Sequence, residues 1–365
     1  MTERGFSRYG LAVDEGVLSG SGEGRARRKV TLRDVAELAG VHVSTASRAL
    51  DSTGPSRIGS DTAEKVRSAA AELGYSRDLL ASGLKRGKTK SVGVVIANHD
   101  NPYNVGVIRG VTRVLEADDF VPLVAETGES KERFERLLRH LVGRRVDAVI
   151  TAAVHLDGGE MLGRLLGDEV PVVLAGRGLP GGEYSSVVHD DVTGGLLAGE
   201  HLLALGHRRV AQIAGPDDIE PFVHRAEGFS AAVAAGGGEE IAGSGPGSVT
   251  PTFEEGRRMM SGLLDVPVRP TGVFVPSDVM AVGALDAIAA ARLRCPEDIS
   301  VVGYNDVRMA RFVAPPLTTI EMPAEELGAE AARMALAAIE DAAAPRRLVV
   351  LPARLIVRRS TGPAA

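Results

Sequence analysis

From residue 91 onward the chain alternates short β-branched runs with longer helical patterns, and this alternation limits the fold more than any other feature. The runs are continuously apolar, which is typical of parallel strands that are buried on both faces. The clearest six cover residues 91–97, 146–151, 170–175, 208–214, 271–276 and 299–304. About a dozen such strands exceed one comfortable sheet, so the pattern predicts two doubly wound α/β lobes with a ligand cleft at the carboxyl ends of their strands.

The composition excludes several classes of protein. A length of 365 residues predicts two or three domains, and the single cysteine, Cys295, excludes a disulfide framework and any cysteine-based zinc or iron–sulfur site. No apolar run reaches the roughly 20 residues that span a bilayer, and residues 1–20 lack the apolar core of a secretion signal. We therefore expect a soluble cytoplasmic protein with no membrane partner, in which residues 1–28 form a disordered tail or an over-extended start.

Charge is distributed unevenly along the chain. Residues 25–90 contain 14 lysines and arginines against 7 acidic residues, whereas the whole chain has a formal net charge of −6. A small basic segment joined to a large acidic body favours a head that binds a polyanion. A surface bias without function would give the same count, so the motifs must decide between these interpretations.

Residues 32–50 have the spacing of a helix-turn-helix that reads DNA. Gly40 lies where the tight turn needs a positive φ, and the small Ala36 lets the two helices cross closely. The second helix would enter the major groove, with hydroxyl groups on phosphates and Arg48 on a guanine edge. A structural helical hairpin with a solvated polar face is the alternative. The candidate DNA contacts are Thr31, Arg33, His42, Val43, Ser44, Thr45, Ser47 and Arg48.

Local signals predict the helix ends and the core of this segment. Thr31 and the acid three residues later resemble a capping box, Ser60 and Asp61 open a third helix, and Gly74 ends it. The expected apolar contacts of a three-helix core are Val35, Val41, Leu50, Val66, Ala70 and Leu73.

At this point the sequence resembles a known family. The segments VTLRDVAELAGVHVSTASRALD (30–51) and AAELGYSRDLLASGLKRGKTKSVGVVI (70–96) are followed by NPY, LLALGHRRVAQIAGP, RAEGF, SDVMAVGAL, CPEDISVVGYND, PPLTTI and LPARLIVRRST, in that order. This order resembles the lac repressor/galactose repressor (LacI/GalR) family of transcription factors over about residues 29–362.

The resemblance implies a small all-α helix-turn-helix head, a hinge and a two-lobed, doubly wound body similar to periplasmic sugar-binding proteins. The expected boundaries are 29–76 for the head, 77–90 for the hinge helix and linker, and 91–362 for the body, with lobe one formed by 91–190 and 319–342 and lobe two by 191–316 and 346–362.

In this family the hinge folds on DNA and inserts apolar side chains into the minor groove. Leu84 matches the wedge position, with Ala81 one turn earlier. Arg77 and Gly83 depart from the family's pattern, and Gly83 should cost a hinge helix up to ~1 kcal/mol. A plain charged linker is the alternative interpretation of this segment.

The resemblance also implies an effector site in the cleft between the lobes. Tyr103 would stack on the ligand, Arg225 would bind its hydroxyl or carboxylate groups, and Phe222 would close the cleft. Core packing for Tyr103, a surface position for Arg225 and helix capping by Asp190 are the alternatives. The complete candidate set, matched residue by residue, is Tyr103, Asp190, Phe222, Arg225, Ser277 and Asn305.

The cleft departs from the family's sugar-binding pattern at three positions. Gly176, Ser277 and Asn305 stand where many members carry other polar or acidic residues. Losing carboxylates reduces the capture of vicinal hydroxyls and favours a different or anionic ligand. The neighbouring Arg177 either supports an acidic effector or pairs with a local acid.

We therefore expect a dimeric, sequence-specific regulator of transcription, a repressor rather than an activator. It would bind a near-palindromic operator in double-stranded DNA and respond to a small molecule such as a sugar. The alternative is a ligand-binding protein of the periplasmic sugar-binding type without DNA regulation. We expect no enzymatic activity, because G-x-S-x-G, H-E-x-x-H and P-loop motifs are missing. We also expect no cofactor and no metal, since His189, Asp190 and Asp191 form an isolated cluster.

Overall fold

A computed structural model shows the chain as two compact units, residues 1–79 and 80–365. In the described parts no helix is both long and apolar enough to cross a membrane. The predicted tail and the hinge residues Arg77, Ala81, Gly83 and Leu84 lie outside the described residues. The structure describes residues 30–50, 58–75, 88–167, 169–243, 247–248 and 250–364.

The first unit contains three short helices around one small core. They are α1 (Leu32–Leu38), α2 (Val43–Ala49) and α3 (Ser60–Glu72). The predicted core is confirmed, because Val35 and Val66 are fully buried in one apolar cluster that also contains Val41, Leu50, Ala70 and Leu73. The small Ala46 is buried in the same cluster, so the face of α2 that carries Ala46 packs against α1 and α3.

Most of the predicted helix ends are confirmed. Thr31 caps α1 through a capping box with Asp34, and Gly40 and Gly74 have φ values of +64° and +61° at the two turns. Ser60 and Asp61 are the first two residues of α3, as predicted, and the N-cap residue is Gly59.

The second unit contains two six-stranded sheets. The strands of the first sheet are β1 (Ser91–Ile96), β2 (Val121–Glu126), β3 (Ala148–Ala152), β4 (Val172–Ala175), β5 (Ser185–His189) and β11 (Leu348–Leu351). Their order is β11-β5-β4-β3-β1-β2, and all of the described pairings are parallel. Its helices are α4 (Pro102–Ala117), α5 (Lys131–Gly143), α6 (Gly159–Leu166) and α11 (Ala324–Glu340).

The strands of the second sheet are β6 (Arg209–Gln212), β7 (Glu239–Glu240), β8 (Gly272–Phe274), β9 (Ser300–Asn305), β10 (Thr318–Glu321) and β12 (Arg354–Ile356). Their order is β12-β10-β9-β8-β6-β7, and β10 and β12 pair antiparallel. Its helices are α7 (Asp191–Ala204), α8 (Glu220–Ala235), α9 (Phe253–Leu264), α10 (Asp278–Ala290) and a 3₁₀ turn at Arg308–Arg311.

Strand β1 shows why the predicted runs are continuously apolar. Val92 and Val94 belong to a cluster with α4 and α11 residues, whereas Val95 belongs to the cluster on the opposite face of the sheet, with α5 and α6 residues. All three valines are buried. A strand covered by helices on both faces needs apolar side chains at every position, which confirms the doubly wound class.

The predicted lobe boundaries need two corrections. Residues 319–342 were assigned to lobe one, but Thr318–Glu321 pairs with β9 in the second sheet. Residues 346–362 were assigned to lobe two, but Leu348–Leu351 pairs with β5 in the first sheet. The chain therefore crosses between the sheets after β5, after β10 and after β11. Sheet membership depends on pairings between distant segments, which local pattern does not encode.

Helices α7 and α8 cross at backbone contact. A Cβ atom on Gly195 would lie 2.0 Å from the Arg225 carbonyl oxygen, and one on Gly228 would lie 2.0 Å from the Val192 carbonyl oxygen. Only glycine leaves room for this approach. This close crossing brings Asp191, the first residue of α7, near Arg225, in the second turn of α8.

Candidate DNA-recognition helix and effector cleft

Helix α2 presents polar side chains at its start. His42, Ser44 and Arg48 are exposed, and Thr45 and Ser47 are half-buried. His42 is the N-cap residue, and its Nδ1 accepts a hydrogen bond from the Ser44 backbone N–H at 3.2 Å. Arg48 Nε donates to the Ser44 carbonyl oxygen at 3.1 Å, so the guanidinium lies along the exposed face of the helix.

The other candidate DNA contacts of the head differ in their exposure. Thr31 and Arg33 are exposed at the start of α1, and the Thr31 hydroxyl donates to Asp34 Oδ2 at 2.7 Å. Val43 is half-buried because it packs against the core of the head. Its side chain therefore offers less surface to a ligand than those of its neighbours on α2.

A cleft lies between the carboxyl ends of the strands of the two sheets. Five of the six predicted effector residues line it: Tyr103, Phe222, Arg225, Ser277 and Asn305. They come from the start of α4, from α8, from the N-cap of α10 and from the end of β9. Four further polar residues of the lining were not predicted as ligand contacts: Asn98, Asn101, Asn104 and Glu129.

Asp190 does not join this group. It is the N-cap residue of α7, where its Oδ1 accepts from the Thr193 N–H at 3.0 Å and its Oδ2 from the Thr193 hydroxyl at 2.7 Å. It lines a separate groove next to Leu348 and Val350. The capping alternative therefore describes Asp190, and the next residue, Asp191, makes the buried contact near the cleft.

Arg225 is held from several sides. Its Nε donates to Asp191 Oδ1 at 2.7 Å, one terminal nitrogen donates to the Pro276 carbonyl oxygen at 2.8 Å, and the guanidinium lies 3.9 Å from the centre of the Tyr304 ring. Burial lowers the pKa of Arg225, but the attraction of Asp191 outweighs it and keeps the pKa above its ordinary value. Arg225 is thus a buried charged residue, and the alternative of a surface position is wrong.

Tyr103 and His189 form a neutral pair behind the cleft. The Tyr103 hydroxyl lies 2.7 Å from His189 Nε2, and the two rings meet edge to face. Burial, together with the charge of Arg225, lowers the pKa of His189 to about 3. Burial likewise raises the pKa of Tyr103 above its ordinary value. Both groups are therefore uncharged at neutral pH.

Two further features of the cleft concern Ser277 and Asn305. The Ser277 Oγ is buried and has no hydrogen-bond partner within the described ranges. Asn305 is buried with φ at 112°, a backbone conformation that non-glycine residues rarely adopt. Strained backbone of this kind is concentrated at binding sites, and Asn305 is one of the residues that line the cleft.

Arg177 pairs with an acid of the same lobe. Its two terminal nitrogens donate to the two oxygens of Glu129 at 3.0 and 2.7 Å, and both side chains are buried. Glu129 lies in the turn before α5, 48 residues away in the sequence. Of the two interpretations of Arg177, pairing with a local acid is the one that the structure supports.

The loop before α8, together with the first residue of that helix, Glu220, makes contacts with lobe one. The Asp218 carbonyl oxygen accepts from the Leu156 N–H at 2.9 Å, and the Asp218 carboxylate lies 2.9 Å from His155 Nδ1 and 3.2 Å from Lys131 Nζ. The Gly178 N–H donates to Glu220 Oε2 at 2.6 Å. No sequence signal marks these residues, because their partners lie in distant segments of the chain.

Comparisons with known proteins decide the family. Residues 31–78 match the model "Bacterial regulatory proteins, lacI family", and residues 200–361 match "Periplasmic binding protein-like domain". The HTH-type transcriptional regulator CelR of Thermobifida fusca is 35% identical over 345 residues, which cover 92% of this chain and 99% of CelR. The chain belongs to the lacI family of bacterial regulatory proteins.

Other lacI-family proteins are also similar to this chain in sequence and in structure. The ribose operon repressor of Escherichia coli K12 is 35% identical over 306 residues, 82% of this chain and 89% of that protein. The lac repressor dimer bound to operator and the anti-inducer ONPF superposes with a TM-score of 0.80 at 27% identity, covering 92% of this chain and 100% of that one. The CelR–cellobiose complex superposes with a TM-score of 0.68 at 33% identity, covering 91% and 99%.

These findings confirm the predicted family, the fold class and the general function. The protein is a DNA-binding regulator of transcription, with a helix-turn-helix head and a body like that of periplasmic binding proteins. The matched head rules against the alternative of a ligand-binding protein without DNA regulation. The relatives are transcriptional regulators rather than enzymes.

Proposed function

We propose that this lacI-family protein is a cytoplasmic repressor that acts as a homodimer on a near-palindromic operator and responds to a sugar bound in its cleft. The observation that carries the proposal is the convergence of Tyr103, Phe222, Arg225, Ser277 and Asn305 in one interlobe cleft, on a chain that also carries an exposed recognition helix. A dimer with two-fold symmetry matches two half-sites of opposite orientation.

On DNA, the start of α2 supplies the contacts. Ser44, Thr45 and Ser47 suit phosphate oxygens, and Arg48 suits the O6 and N7 atoms of guanine once it leaves the Ser44 carbonyl oxygen. The proposed minor-groove role of Ala81 and Leu84 rests on the family resemblance.

In the body, an effector acts by favouring one arrangement of the lobes. The cavity volume between the cleft residues is about 50 Å³, whereas small-molecule sites have roughly 300–1,000 Å³. A sugar therefore enters only when the lobes separate, which breaks the contacts of Asp218 and Glu220 with lobe one. A sugar with different affinities for the closed and open arrangements changes operator binding through this difference.

The DNA part is tested by selecting genomic fragments with the purified full-length protein at ~150 mM salt, where non-specific attraction to phosphates is weak. We expect one near-palindromic sequence to be enriched. Arg48→Ala should weaken binding to that sequence by ~1–3 kcal/mol. The matched control, Arg139→Ala, removes an exposed arginine of the body that pairs with Glu135 and should leave binding unchanged.

The effector part is tested on the selected operator. Cellobiose and ribose are the first probes, because one relative forms a complex with cellobiose and another is a ribose operon repressor. A sugar that changes operator affinity in the wild type, and fails to do so in Ser277→Val, supports the assignment of the cleft. A response that survives unchanged in Ser277→Val would contradict it.

A further inference from the structure

The charged groups of the cleft are balanced within the protein. In the described part of the chain, three charged side chains line the cleft: Glu129, Arg177 and Arg225. Arg177 makes two hydrogen bonds with Glu129, and Arg225 makes one with Asp191, which lies behind the lining. Each guanidinium thus has its own carboxylate.

These pairs are buried as well as close. The Arg177 and Glu129 side chains are 10% and 6% exposed, and the Arg225 and Asp191 side chains are 7% and 2% exposed. Away from water, a charge interacts strongly with its neighbours and is weakly screened by salt. Two further titratable groups at the cleft, His189 and Tyr103, are held uncharged by burial. The buried His155 lies beside the first pair, with its Nε2 3.7 Å from Glu129 Oε2 and its Nδ1 2.9 Å from Asp218 Oδ2.

An anionic ligand therefore meets an unfavourable arrangement. To reach Arg177 it would have to approach the Glu129 carboxylate, which already occupies both terminal nitrogens of that guanidinium. The negative charges of the ligand and of Glu129 would repel each other in this buried site. An uncharged polyol avoids this repulsion and finds hydrogen-bonding groups in Asn98, Asn305 and the unpartnered Ser277 hydroxyl.

We propose that Glu129 is a specificity-determining residue, which neutralises Arg177 and thereby makes the cleft select uncharged sugars against their phosphorylated or carboxylated forms. This inference rests on the proposed function, because it concerns the same cleft. It reverses the expectation that the loss of family carboxylates favours an anionic effector. Glu129 replaces them with a carboxylate that comes from a different loop and serves the protein's own arginine.

The test compares inorganic sulfate binding to the full-length wild type and to Glu129→Gln. Thermal unfolding is followed against sulfate concentration at constant ionic strength, balanced with sodium chloride. The glutamine keeps the size of the side chain and leaves Arg177 without its counter-charge. We expect sulfate to bind at least tenfold more tightly to Glu129→Gln than to the wild type. Equal sulfate affinity in the two folded proteins would overturn the proposal.

Two controls separate a bound anion from the general stabilising effect of sulfate. Glu325→Gln removes an exposed carboxylate near Arg109 in the same lobe and should respond as the wild type does. The double variant Glu129→Gln/Arg177→Gln has neither charge of the pair and should lose the additional sulfate response. Retention of that response in the double variant would place the anion elsewhere and overturn the assignment.

A measurement on the wild type tests the same proposal by a second route that needs no variant. Ribose is compared with ribose 5-phosphate, and cellobiose with cellobionate, by calorimetric titration. We expect the neutral member of the pair that binds to be favoured at least tenfold, and preference for the charged member would overturn the inference. If none of the four ligands binds, the proposed choice of a sugar fails, and the sulfate comparison still decides the role of Glu129.

Discussion

Removing the charge of Arg225 should destabilise the body, because the loss leaves Asp191 without its cation. The Asp191 side chain is 2% exposed, and its Oδ1 receives the Arg225 Nε hydrogen bond at 2.7 Å. Breaking a buried ion pair from one side costs about 3–5 kcal/mol. The Tyr304 hydroxyl continues to donate to the same oxygen at 3.0 Å, so we expect the lower end of this range, about 3 kcal/mol, for Arg225→Met.

The assay is urea unfolding of the full-length protein followed by circular dichroism. The matched control is Arg257→Met, which removes an arginine paired with Asp286 at 3.1 Å, where both side chains are about half exposed. Such a surface pair contributes about 0–1 kcal/mol. The double variant Arg225→Met/Asp191→Asn, which leaves no unpaired charge, should recover much of the loss. Equal destabilisation by Arg225→Met and Arg257→Met would contradict a stabilising role for the buried pair.

Three other predictions follow from the body of the protein. Burial raises the pKa of Asp278 to about 7, so between about pH 4 and pH 7 the folded state keeps a proton that the unfolded chain has lost. The free energy of unfolding of the wild type, relative to Asp278→Asn, should therefore fall by up to about 1.4 kcal/mol per pH unit in this range and stay level above it. A difference in urea unfolding that does not change with pH across this range would contradict the prediction. Gly195→Ala places a methyl group 2.0 Å from the Arg225 carbonyl oxygen and should destabilise by about 1–3 kcal/mol or more. The control Gly143→Ala, whose new methyl group meets no other segment of the chain within 4 Å, should not lower the thermal midpoint. Asp218→Ala removes the side-chain contacts with His155 and Lys131 and should increase the radius of gyration in small-angle scattering by favouring open lobes; an unchanged radius would show that the contacts of Leu156 and Gly178 are sufficient.

The strands that could be predicted from sequence are those covered on both faces. β1, β3, β4, β8 and β9 are buried along most or all of their length, and each overlaps one of the predicted apolar runs. β2 was missed, because it contains Pro122 and is partly exposed at the edge of its sheet. β7 is only two residues long and is also an edge strand. Edge strands carry weaker patterns, since water replaces one of the neighbours that would require an apolar residue.

The residues that line the candidate cleft could be predicted from the sequence better than the ion pairs that they form. Tyr103, Phe222, Arg225, Ser277 and Asn305 line it as the family resemblance implied. The acids Glu129 and Asp191 were missed as partners, because they lie 48 and 34 residues from the arginines that they neutralise. Asp190 and Asp191 are neighbours with the same chemistry, and the phase of α7 alone makes one a cap and the other a buried counter-charge.

The pairing of the arginines changes what each cleft residue can offer to a ligand. Arg225 and Tyr103 already make hydrogen bonds within the protein, so a ligand that takes their donors must replace bonds that exist. The Ser277 hydroxyl differs, because it is buried and unpartnered in the described structure. A new hydrogen bond there also removes the penalty of a buried, unsatisfied group. The affinity of the cleft for an uncharged ligand should therefore depend more on Ser277 than on Arg225, although the arginine is the more conspicuous residue in the sequence.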